Sequence, residues 1–405
     1  MGVVYEHHVS NNGVVIVGGG LAAVRSAEQL RKSGYDGPVT VVSEETHPPY
    51  DRPPLSKDVL QDSAKGLADV ALKPDDFYTG NDVAVRLGVA AQSLDTGART
   101  VTLTDGTALG YDELVIATGL VPRRIPSFPD LSGIRVLRSF GDAMELREHA
   151  ASARRAVIVG AGFIGCEVAA SLRRLGVGVV LVEPQPAPLA GVLGEQIGTL
   201  VARLHRAEGV DVRTGVGVAE VAGTGGHVSA VTLTDGTVLD ADLVLVGIGS
   251  RPATGWLEDS GVELDAGDRG VVCDEVGRTS APHVWALGDV ASWRDEAGHQ
   301  VRVEHWSNVA EQARVMVPAM LGLQVPSVVV VPYFWSDQYD VKIQCLGEPR
   351  AGDAVHVVED DGRRFLAYYE RDGALSGVVG GGMPGKVMKA RAKIAAAAPI
   401  GEVLG

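Results

Sequence analysis

The chain has 405 residues, too many for one compact core, and at ~150 residues per domain it predicts two or three domains. Its 52 glycines are about 13% of the chain against an average near 7%, which indicates tight turns or backbone lying close to ligands. Hydrophobic residues reach 45% and no G-X-Y repeat appears, which excludes a collagen-like or disordered chain. The formal net charge of −15, from 36 basic and 51 acidic residues, argues against nucleic acid as a partner.

The N-terminal segment MGVVYEHHVSNNG has neither a basic nor an apolar run, so we expect no signal peptide. No apolar run approaches the ~18 residues that a membrane span needs. Cys166, Cys273 and Cys345 are too few and too scattered for a disulfide framework, a zinc cluster or a four-cysteine iron–sulfur cluster. We therefore expect a cytoplasmic protein in a reducing compartment, with no metal centre and no membrane partner.

A dinucleotide-binding unit is predicted near the start of the chain. Its strand, helix and second strand fall at residues 14–17, 21–34 and 39–44. Between the first strand and the helix, Gly18-x-Gly20-x-x-Ala23 supplies a tight turn, a place where a pyrophosphate can approach backbone N–H groups, and a small residue for helix–strand packing. Glu44, at the end of the second strand, is placed to bind ribose hydroxyls. The alternative is a glycine-rich turn without a ligand.

The same pattern returns at residues 156–183, with its first glycine 142 positions further on (160 minus 18). Gly160-x-Gly162-x-x-Gly165 follows the strand, and Glu183 ends the next one. A carboxylate there accepts hydrogen bonds from an adenosine ribose and repels a 2′-phosphate, and the following PQPAPLAG has no Arg or Lys to hold that phosphate. The spacing therefore favours NADH over NADPH.

A longer internal repeat indicates duplication. Residues 101–119 and 231–249 are identical at ten of nineteen positions, and each contains an Asp-Gly hairpin turn followed by an apolar strand that ends in glycine. Two such units suggest that a nicotinamide donor meets a bound flavin. In VWALGDV at 284–290, Asp289 could bond a ribityl hydroxyl, although a plain strand-ending turn is the alternative.

The sequence pattern changes after about residue 325. Four strand-like runs, separated by Gly and Asp turns, predict an antiparallel meander at residues 341–346, 354–358, 363–369 and 374–380. A single helix, MKARAKIAAAA, would close it. The predicted fold class is α/β, with two Rossmann-like dinucleotide-binding domains and a C-terminal α+β domain with an antiparallel sheet. Lys386, Lys389 and Lys393 would share one helix face, either as a solvated surface or as a docking patch.

Several longer motifs carry a family resemblance: PYDRPPLSK at 49–57, ATG at 117–119, GAGFIGCE at 160–167, LGDVA at 287–291, EHWSNVAEQAR at 304–314 and YFWSDQYDVKIQ at 333–344. From Val14 to Gly385 the chain resembles the two-dinucleotide-binding flavoproteins. It is most similar to the oxygenase-coupled, NADH-dependent ferredoxin reductases of the putidaredoxin reductase and biphenyl dioxygenase reductase type. The resemblance implies a discontinuous FAD domain (1–118 and 249–324), an NAD domain (119–248) and a C-terminal domain (325–405).

The resemblance also implies the cofactor sites. FAD would be bound by Gly18, Gly20, Leu21, Ala22, Ala23, Glu44, Arg52, Lys57, Arg138, Asp289, His305 and Trp306. NADH would be bound by Gly160, Gly162, Ile164, Gly165, Glu183 and Gly249. Within the first set, Arg52 and Lys57 would approach the phosphates and the isoalloxazine, Arg138 the adenine side, and Trp306 the pyrimidine end, with His305 as a wall residue.

Three residues are implied to be catalytic. Lys57 would lie beside flavin N5 and pair with Glu167, and Trp335 would lie near the flavin edge where electrons leave. From the residues alone, the alternatives are that Lys57 is a solvated loop charge, Glu167 a carboxylate favoured near a helix N-terminus, and Trp335 a core residue.

The implied reaction passes hydride from NADH to FAD and then single electrons to an iron–sulfur ferredoxin, which feeds a Rieske dioxygenase or a cytochrome P450. Disulfide reductases of this superfamily carry a cysteine pair where residues 40–60 have none, so the acceptor is expected to be a separate protein. Arg314, Lys386, Lys389 and Lys393 could dock an acidic ferredoxin. The alternatives are a rubredoxin- or nitrite-reductase-type reductase and an NAD-sensing flavoprotein similar to apoptosis-inducing factor. Both a monomer and a homodimer remain open.

Overall fold

A computed structural model describes residues 13–327 and 330–404. Residues 1–12, on which the expectation about a signal peptide depends, lie outside the described residues. The chain forms two compact units. The first unit comprises Met1–Asp51, Leu67–Val121 and Ser250–Val329, and the second comprises Arg52–Gly66, Pro122–Gly249 and Val330–Gly405. The three-domain division expected from the sequence stays a prediction.

The described elements follow the chain in this order. The strands are β1 (Val14–Val17), β2 (Val39–Ser43), β3 (Val83–Leu87), β4 (Ala91–Asp95), β5 (Thr100–Leu103), β6 (Ala108–Gly110), β7 (Glu113–Ile116), β8 (Leu120–Pro122), β9 (Ile134–Arg135), β10 (Arg155–Val159), β11 (Gly178–Glu183), β12 (Asp211–Thr214), β13 (Val218–Thr224), β14 (His227–Leu233), β15 (Val238–Asp240), β16 (Leu243–Val246), β17 (Ser250–Pro252), β18 (Val271–Cys273), β19 (Val284–Ala286), β20 (Ala291–Arg294), β21 (Gln300–Val301), β22 (Tyr333–Gln338), β23 (Val341–Gly347), β24 (Ala354–Asp360), β25 (Phe365–Arg371) and β26 (Ala374–Gly381). The helices are α1 (Leu21–Lys32), α2 (Asp58–Gln61), α3 (Asp75–Gly80), α4 (Phe140–Ser152), α5 (Phe163–Arg174), α6 (Ala190–Ala207), α7 (Trp306–Met320), α8 (Pro384–Lys389), α9 (Arg391–Ala395) and α10 (Gly401–Leu404).

The first unit is organised around a parallel sheet with strand order β19-β7-β1-β2-β3. All four residues of β1 are buried because the sheet is covered on both faces. The alanines Ala23 and Ala27 of α1 are fully buried, which lets this helix pack closely on the sheet. The first predicted strand–helix–strand unit is therefore confirmed.

The second unit contains the matching parallel sheet, with strand order β12-β11-β10-β16-β9. Its helix α5 begins at Phe163, directly after Gly162, and ends at Arg174. The two sheets repeat the same plan, since β7 pairs with β1 as β16 pairs with β10. Each repeat also places its Asp-Gly turn in a hairpin, between β5 and β6 and between β14 and β15. The internal duplication and the fold class are thus confirmed.

The C-terminal sheet of the second unit is antiparallel, but its order β22-β23-β26-β25-β24 is not the simple meander that was expected. The last strand, β26, lies between β23 and β25, where Val378 and Val379 are fully buried. A strand that is buried on both faces gains more from a central position than from an edge. Sequential antiparallel pairing is confirmed for β24, β25 and β26, whereas the expected pairing of β23 with β24 was wrong.

The prediction of a single closing helix was also wrong. Two short helices, α8 and α9, meet at Ala390, whose backbone N–H donates to the carbonyl of Val387 three residues before it. This i+3 bond tightens the turn and breaks the helical register. Both Val387 and Ala390 are buried, so packing on the sheet sets the break. As a result Lys386 and Lys389 are on one helix and Lys393 is on the next.

Candidate functional site

The first glycine motif lies between β1 and α1 in the first unit. Gly18 has φ +130°, and a Cβ there would lie 2.1 Å from the carbonyl oxygen of Ala117, so this position requires glycine. A Cβ on Gly20 would meet nothing within 4 Å, which leaves open space beside the start of α1. Within residues 13–327 and 330–404, no side chain caps this helix and its first turn carries no acid. The N–H groups without a side-chain cap and the open space beside Gly20 fit a pyrophosphate.

The other predicted FAD residues around this motif occupy consistent places. Leu21 and Ala22 open α1, and Glu44 is exposed immediately after β2. Asp289 lies in the short turn Gly288–Val290 that follows β19. These are the carboxyl ends of parallel strands, where nucleotides bind in open α/β sheets.

Two contacts in the Asp289 turn were not predicted. The backbone N–H of Gly288 donates to Oε1 of the buried Gln312 at 2.8 Å, and Arg302 Nη1 donates to the Asp289 carbonyl at 3.0 Å. Gln312 belongs to the EHWSNVAEQAR motif, so its position was visible in the sequence although its contact was not. Together these bonds fix the backbone that presents Asp289.

Trp306 begins α7 in the first unit. Its indole Nε1–H donates to Oδ1 of Asp51 at 2.7 Å, and the guanidinium carbon of Arg25 lies 5.9 Å from the ring centroid. His305 precedes it at the N-cap position, and burial lowers the pKa of this imidazole. Asp51 was also missed, although it lies in the PYDRPPLSK motif that the resemblance used. It orients Trp306 by a hydrogen bond.

The second glycine motif, in the second unit, is more tightly constrained than the first. Gly160 has φ +100°, and a Cβ on Gly165 would lie 2.0 Å from the Gly160 carbonyl oxygen. Gly162 and Gly249, by contrast, have nothing within 4 Å of a built Cβ. Ile164, beside them, is 42% exposed. The close helix–strand contact and the open side of the turn fit the phosphates and ribose of a dinucleotide.

Glu183 ends β11 within the same unit. Its Oε2 accepts the backbone N–H of Ala161 at 2.7 Å, and its Oε1 accepts that of Gln185 at 3.0 Å. Each carboxylate oxygen can accept a further hydrogen bond, so the group can still bind ribose hydroxyls. The sequence placed this carboxylate at the strand end but did not reveal these backbone partners.

Lys57 and Glu167 form the expected ion pair in the second unit. Lys57 follows the 3-10 turn Pro53–Ser56, and its Nζ lies 2.8 Å from Oε2 of Glu167 and 2.8 Å from the carbonyl of Pro53. Glu167 is on α5 and only 4% exposed. Its Oε2 also accepts the hydroxyl of Ser56 at 2.5 Å, and its Oε1 accepts that of Ser336 at 2.8 Å. The two serines were not predicted, though both lie in the quoted motifs.

Three further predicted residues, Arg52, Arg138 and Trp335, also belong to the second unit. Arg52 Nη1 donates to the carbonyl of Arg138 at 2.6 Å, which joins the loop after residue 51 to the segment before α4. Trp335, on β22 next to Ser336, stacks on Tyr333 with ring centroids 5.9 Å apart. It is partly exposed rather than a core residue. The functional roles assigned to these residues stay predictions.

All three cysteines are buried, and burial raises the pKa of each thiol. A reduced flavin passes electrons to a disulfide and not to a thiol, and these three free cysteines provide no disulfide to accept them. Over the part of the chain that the structure describes, no group of three His, Cys, Asp or Glu side chains could hold a metal ion.

Three of the four proposed docking residues already have a partner within the fold. Lys386 pairs with Glu359, Lys393 Nζ donates to the carbonyl of Glu402 at 2.6 Å, and Arg314 pairs with Glu311. Lys389 forms no side-chain hydrogen bond or ion pair with any described residue. Surface pairs of this kind neutralise part of the positive charge that the sequence counted.

Comparison with known proteins agrees with this architecture. The family described as "Pyridine nucleotide-disulphide oxidoreductase" matches residues 12–313, and the one described as "Reductase C-terminal" matches residues 333–403. The ferredoxin–NAD(+) reductase subunit of a benzene 1,2-dioxygenase system from Pseudomonas putida is 37% identical, over 83% of this chain and 81% of its own. A rubredoxin–NAD(+) reductase, also from Pseudomonas putida, is 36% identical over 85% of this chain and 89% of its own.

Among solved structures, the crystal structure of a covalent putidaredoxin reductase–putidaredoxin complex is similar to this chain, with a TM-score of 0.92 and 32% identity. The match covers 98% of this chain and 96% of that one. The chain belongs to the pyridine nucleotide-disulphide oxidoreductase family and carries its reductase C-terminal region. It is an oxidoreductase with FAD and NAD(H) as cofactors, and the two glycine motifs described above fit these groups. No helix among the described residues is long and apolar enough to cross a bilayer.

Proposed function

We propose that this protein is an FAD-dependent NADH:ferredoxin oxidoreductase that delivers single electrons to an iron–sulfur ferredoxin serving a Rieske dioxygenase or a cytochrome P450. The observation that carries the proposal is the state of the cysteines: all three are free and buried, so they form no redox disulfide. With no disulfide to take electrons from the flavin, the electrons leave to an external acceptor. The name of the benzene dioxygenase relative supports a ferredoxin as that protein.

The two glycine motifs supply the binding steps. The motif at Gly18 and Gly20 would hold the FAD pyrophosphate, and the motif at Gly160 and Gly162 would hold that of NADH. Glu183 would accept the ribose hydroxyls and repel a 2′-phosphate, which favours NADH over NADPH. Bound FAD supplies hydride acceptance and one-electron release.

Lys57 and Glu167 supply the electrostatic step. Two protons of the Lys57 ammonium bond to the Pro53 carbonyl and to Glu167, and an ammonium has three donors. The third proton would stabilise negative charge that develops on the flavin as hydride arrives. Trp335, partly exposed on β22, would line the exit for electrons.

The decisive assay measures NADH-dependent reduction of cytochrome c by the purified holoenzyme, with and without an oxygenase-type [2Fe–2S] ferredoxin. We expect rapid reduction only when ferredoxin is present. Rubredoxin in a parallel reaction tests the alternative that the 36%-identical relative suggests. A long-lived charge-transfer complex with NAD and no turnover with either carrier would instead favour the NAD-sensing class and overturn the proposal.

The docking part of the proposal centres on Lys389, since Lys386 and Lys393 already have partners in the fold. Lys389→Glu should raise the KM for ferredoxin, and the effect should shrink at high salt, because exposed charges are screened. NADH–ferricyanide activity is the internal control and should stay unchanged. Unchanged ferredoxin KM in both Lys389→Glu and Arg314→Glu would exclude each of these two residues as a docking contact.

A further inference from the structure

A continuous line of hydrogen bonds leads to Glu167 from the C-terminal sheet and from α6. Ser336 Oγ–H donates to Glu167 Oε1 at 2.8 Å, and Gln338 Nε2–H donates to Ser336 Oγ at 3.1 Å. His205 Nε2 lies 3.0 Å from Gln338 Oε1, and His205 Nδ1 lies 2.9 Å from the hydroxyl of Tyr339. All five residues belong to the second unit. We call Ser336, Gln338, His205 and Tyr339 the relay.

Three of the four relay residues are buried to an extent that is unusual for polar side chains, whereas Tyr339, at the end of the relay, is partly exposed. Ser336, Gln338 and His205 have no solvent exposure, and Glu167 is 4% exposed. Burying such groups costs free energy that hydrogen bonds only offset, and apolar residues of similar volume would fill the space at a smaller cost. A purely structural contact of the C-terminal sheet with α5 and α6 would not need these polar side chains.

Only one arrangement of protons satisfies the whole relay. Ser336 has a single proton, and with Glu167 as its acceptor the Ser336 oxygen accepts from the amide of Gln338. The Gln338 carbonyl then faces His205 Nε2, which therefore carries the ring proton. Burial lowers the pKa of His205 to about 4, so the neutral ring leaves Nδ1 to accept from Tyr339. Every donor thus points along the relay towards Glu167.

The two oxygens of Glu167 have separate supports. Oε1 accepts from the relay, while Oε2 accepts from Ser56 and Lys57 on the loop after Pro53. Aligned hydrogen bonds in a buried site polarise one another, so the relay strengthens the bond to Oε1 and limits rotation of the carboxylate. A carboxylate held at Oε1 presents Oε2 to the ammonium of Lys57 in one orientation.

We propose that Ser336, Gln338, His205 and Tyr339 are positioning residues that fix the carboxylate of Glu167, and through it the ammonium of Lys57, for hydride transfer. This inference rests on the proposed function, because it requires that Lys57 stabilises charge on the flavin. The relay itself exchanges no hydride or electrons. The relay fixes the position of the Lys57 ammonium.

The test compares Gln338→Leu, which removes both hydrogen bonds of the relay centre at similar volume, with Tyr369→Phe. Tyr369 donates its buried hydroxyl to the Leu193 carbonyl at 2.8 Å in the same unit but does not lead to Glu167. Tyr339→Phe is the matched change inside the relay. Three quantities are measured on each holoenzyme: the limiting rate of flavin reduction by NADH, the Kd for NADH, and the equilibrium midpoint potential of the flavin.

Gln338→Leu should lower the limiting reduction rate about tenfold, in the range of coupling between contacting residues, and leave the Kd for NADH unchanged. The flavin potential should become more negative, because a displaced ammonium no longer favours the reduced form. Tyr339→Phe should shift both quantities in the same direction by less, and Tyr369→Phe should shift neither. In a Lys57→Met background, Gln338→Leu should cause no further loss of rate.

Additive losses in the Lys57→Met background, or an unchanged potential in folded Gln338→Leu, would overturn the inference. If Gln338→Leu does not fold, Tyr339→Phe decides the question by the same two measurements. A normal reduction rate in Lys57→Met would instead refute the proposed role of Lys57, and the inference with it. A slow Lys57→Met enzyme with normal relay variants would refute the inference alone.

Discussion

The ammonium of Lys57 and the carboxylate of Glu167 lie 2.8 Å apart although 110 residues separate them in the chain. Their side chains are 13% and 5% exposed, so the pair is largely desolvated. Desolvation of two charges costs free energy that their attraction only partly returns, and an apolar pair is often as stable. The ion pair is therefore better explained by its place in a reaction than by stability.

Lys57→Met should slow reduction of the flavin by NADH about 100-fold, comparable to the loss of one preorganised electrostatic donor. The Kd for NADH should change little, since the glycine motif around Gly160 supplies its binding. Stopped-flow absorbance of the flavin measures the rate. Lys32→Met, at an exposed position on α1, is the matched control. An unchanged rate in Lys57→Met would show that the pair is structural.

Gly165→Ala should abolish tight binding of NADH, because the new methyl would lie 2.0 Å from the carbonyl oxygen of Gly160 and force α5 away from β10. The first motif already has Ala23 at the matching position, so Ala23→Gly should cost only about 1 kcal/mol of helix stability. A fluorescence titration with NADH measures the Kd, and the FAD content of the purified variant is the control. Unchanged NADH affinity would mean that α5 can move without cost.

Acid should destabilise the second unit through His205. Burial lowers its folded pKa to about 4, so the unfolded chain, with a pKa near 6.5, binds the proton first as the pH falls. The free energy of unfolding should therefore be unaffected above about pH 6.5 and should drop by about 3 kcal/mol by about pH 4.

His205→Gln isolates this effect, since glutamine retains a donor and an acceptor but does not titrate. Urea unfolding is compared for the two proteins near pH 7 and near pH 5. The wild-type protein should lose more stability than the variant between these conditions. Equal losses would show that other groups account for the acid sensitivity.

Tyr369→Phe should lower the free energy of unfolding by about 1–3 kcal/mol, because it leaves the buried carbonyl of Leu193 without its donor. Gly194, with φ +80°, interrupts α6 next to this carbonyl, so the helix does not offer an alternative partner there. Thermal unfolding measures the loss, and Tyr35→Phe, at a surface position of the first unit, is the control. An unchanged melting temperature would contradict the prediction.

Glu183→Ser should reduce the preference for NADH over NADPH, since it removes the carboxylate that repels a 2′-phosphate. It also removes acceptors for the backbone N–H groups of Ala161 and Gln185, so kcat/KM for NADH should fall about tenfold. The ratio of kcat/KM for the two nucleotides is the measurement. A ratio equal to that of the wild-type protein would place the selectivity elsewhere.

Local chemistry explains what the sequence could predict. The turns at Gly18 and Gly160, the strand-end carboxylate Glu183 and the Asp-Gly hairpins each depend on neighbouring residues, and the structure confirms these elements. The Lys57–Glu167 pair came from resemblance, since no spacing rule joins residues 110 positions apart.

Long-range packing explains what was missed. The central position of β26 depends on burial of Val378 and Val379 between other strands, and the break at Ala390 depends on packing beneath α8 and α9. The bond between His205 and Gln338 joins α6 to the C-terminal sheet. Each of these features needs the tertiary fold before it can be recognised.

Because the three thiols are buried, their chemical modification can report when each unit opens. Cys273 belongs to the first unit, whereas Cys166 and Cys345 belong to the second. A thiol-specific reagent can modify such residues only while the surrounding structure is open, so its rate of incorporation at each cysteine measures the opening free energy locally. Mass spectrometry of labelled peptides would therefore time the unfolding of the two units separately, in a native chain that carries no added probe.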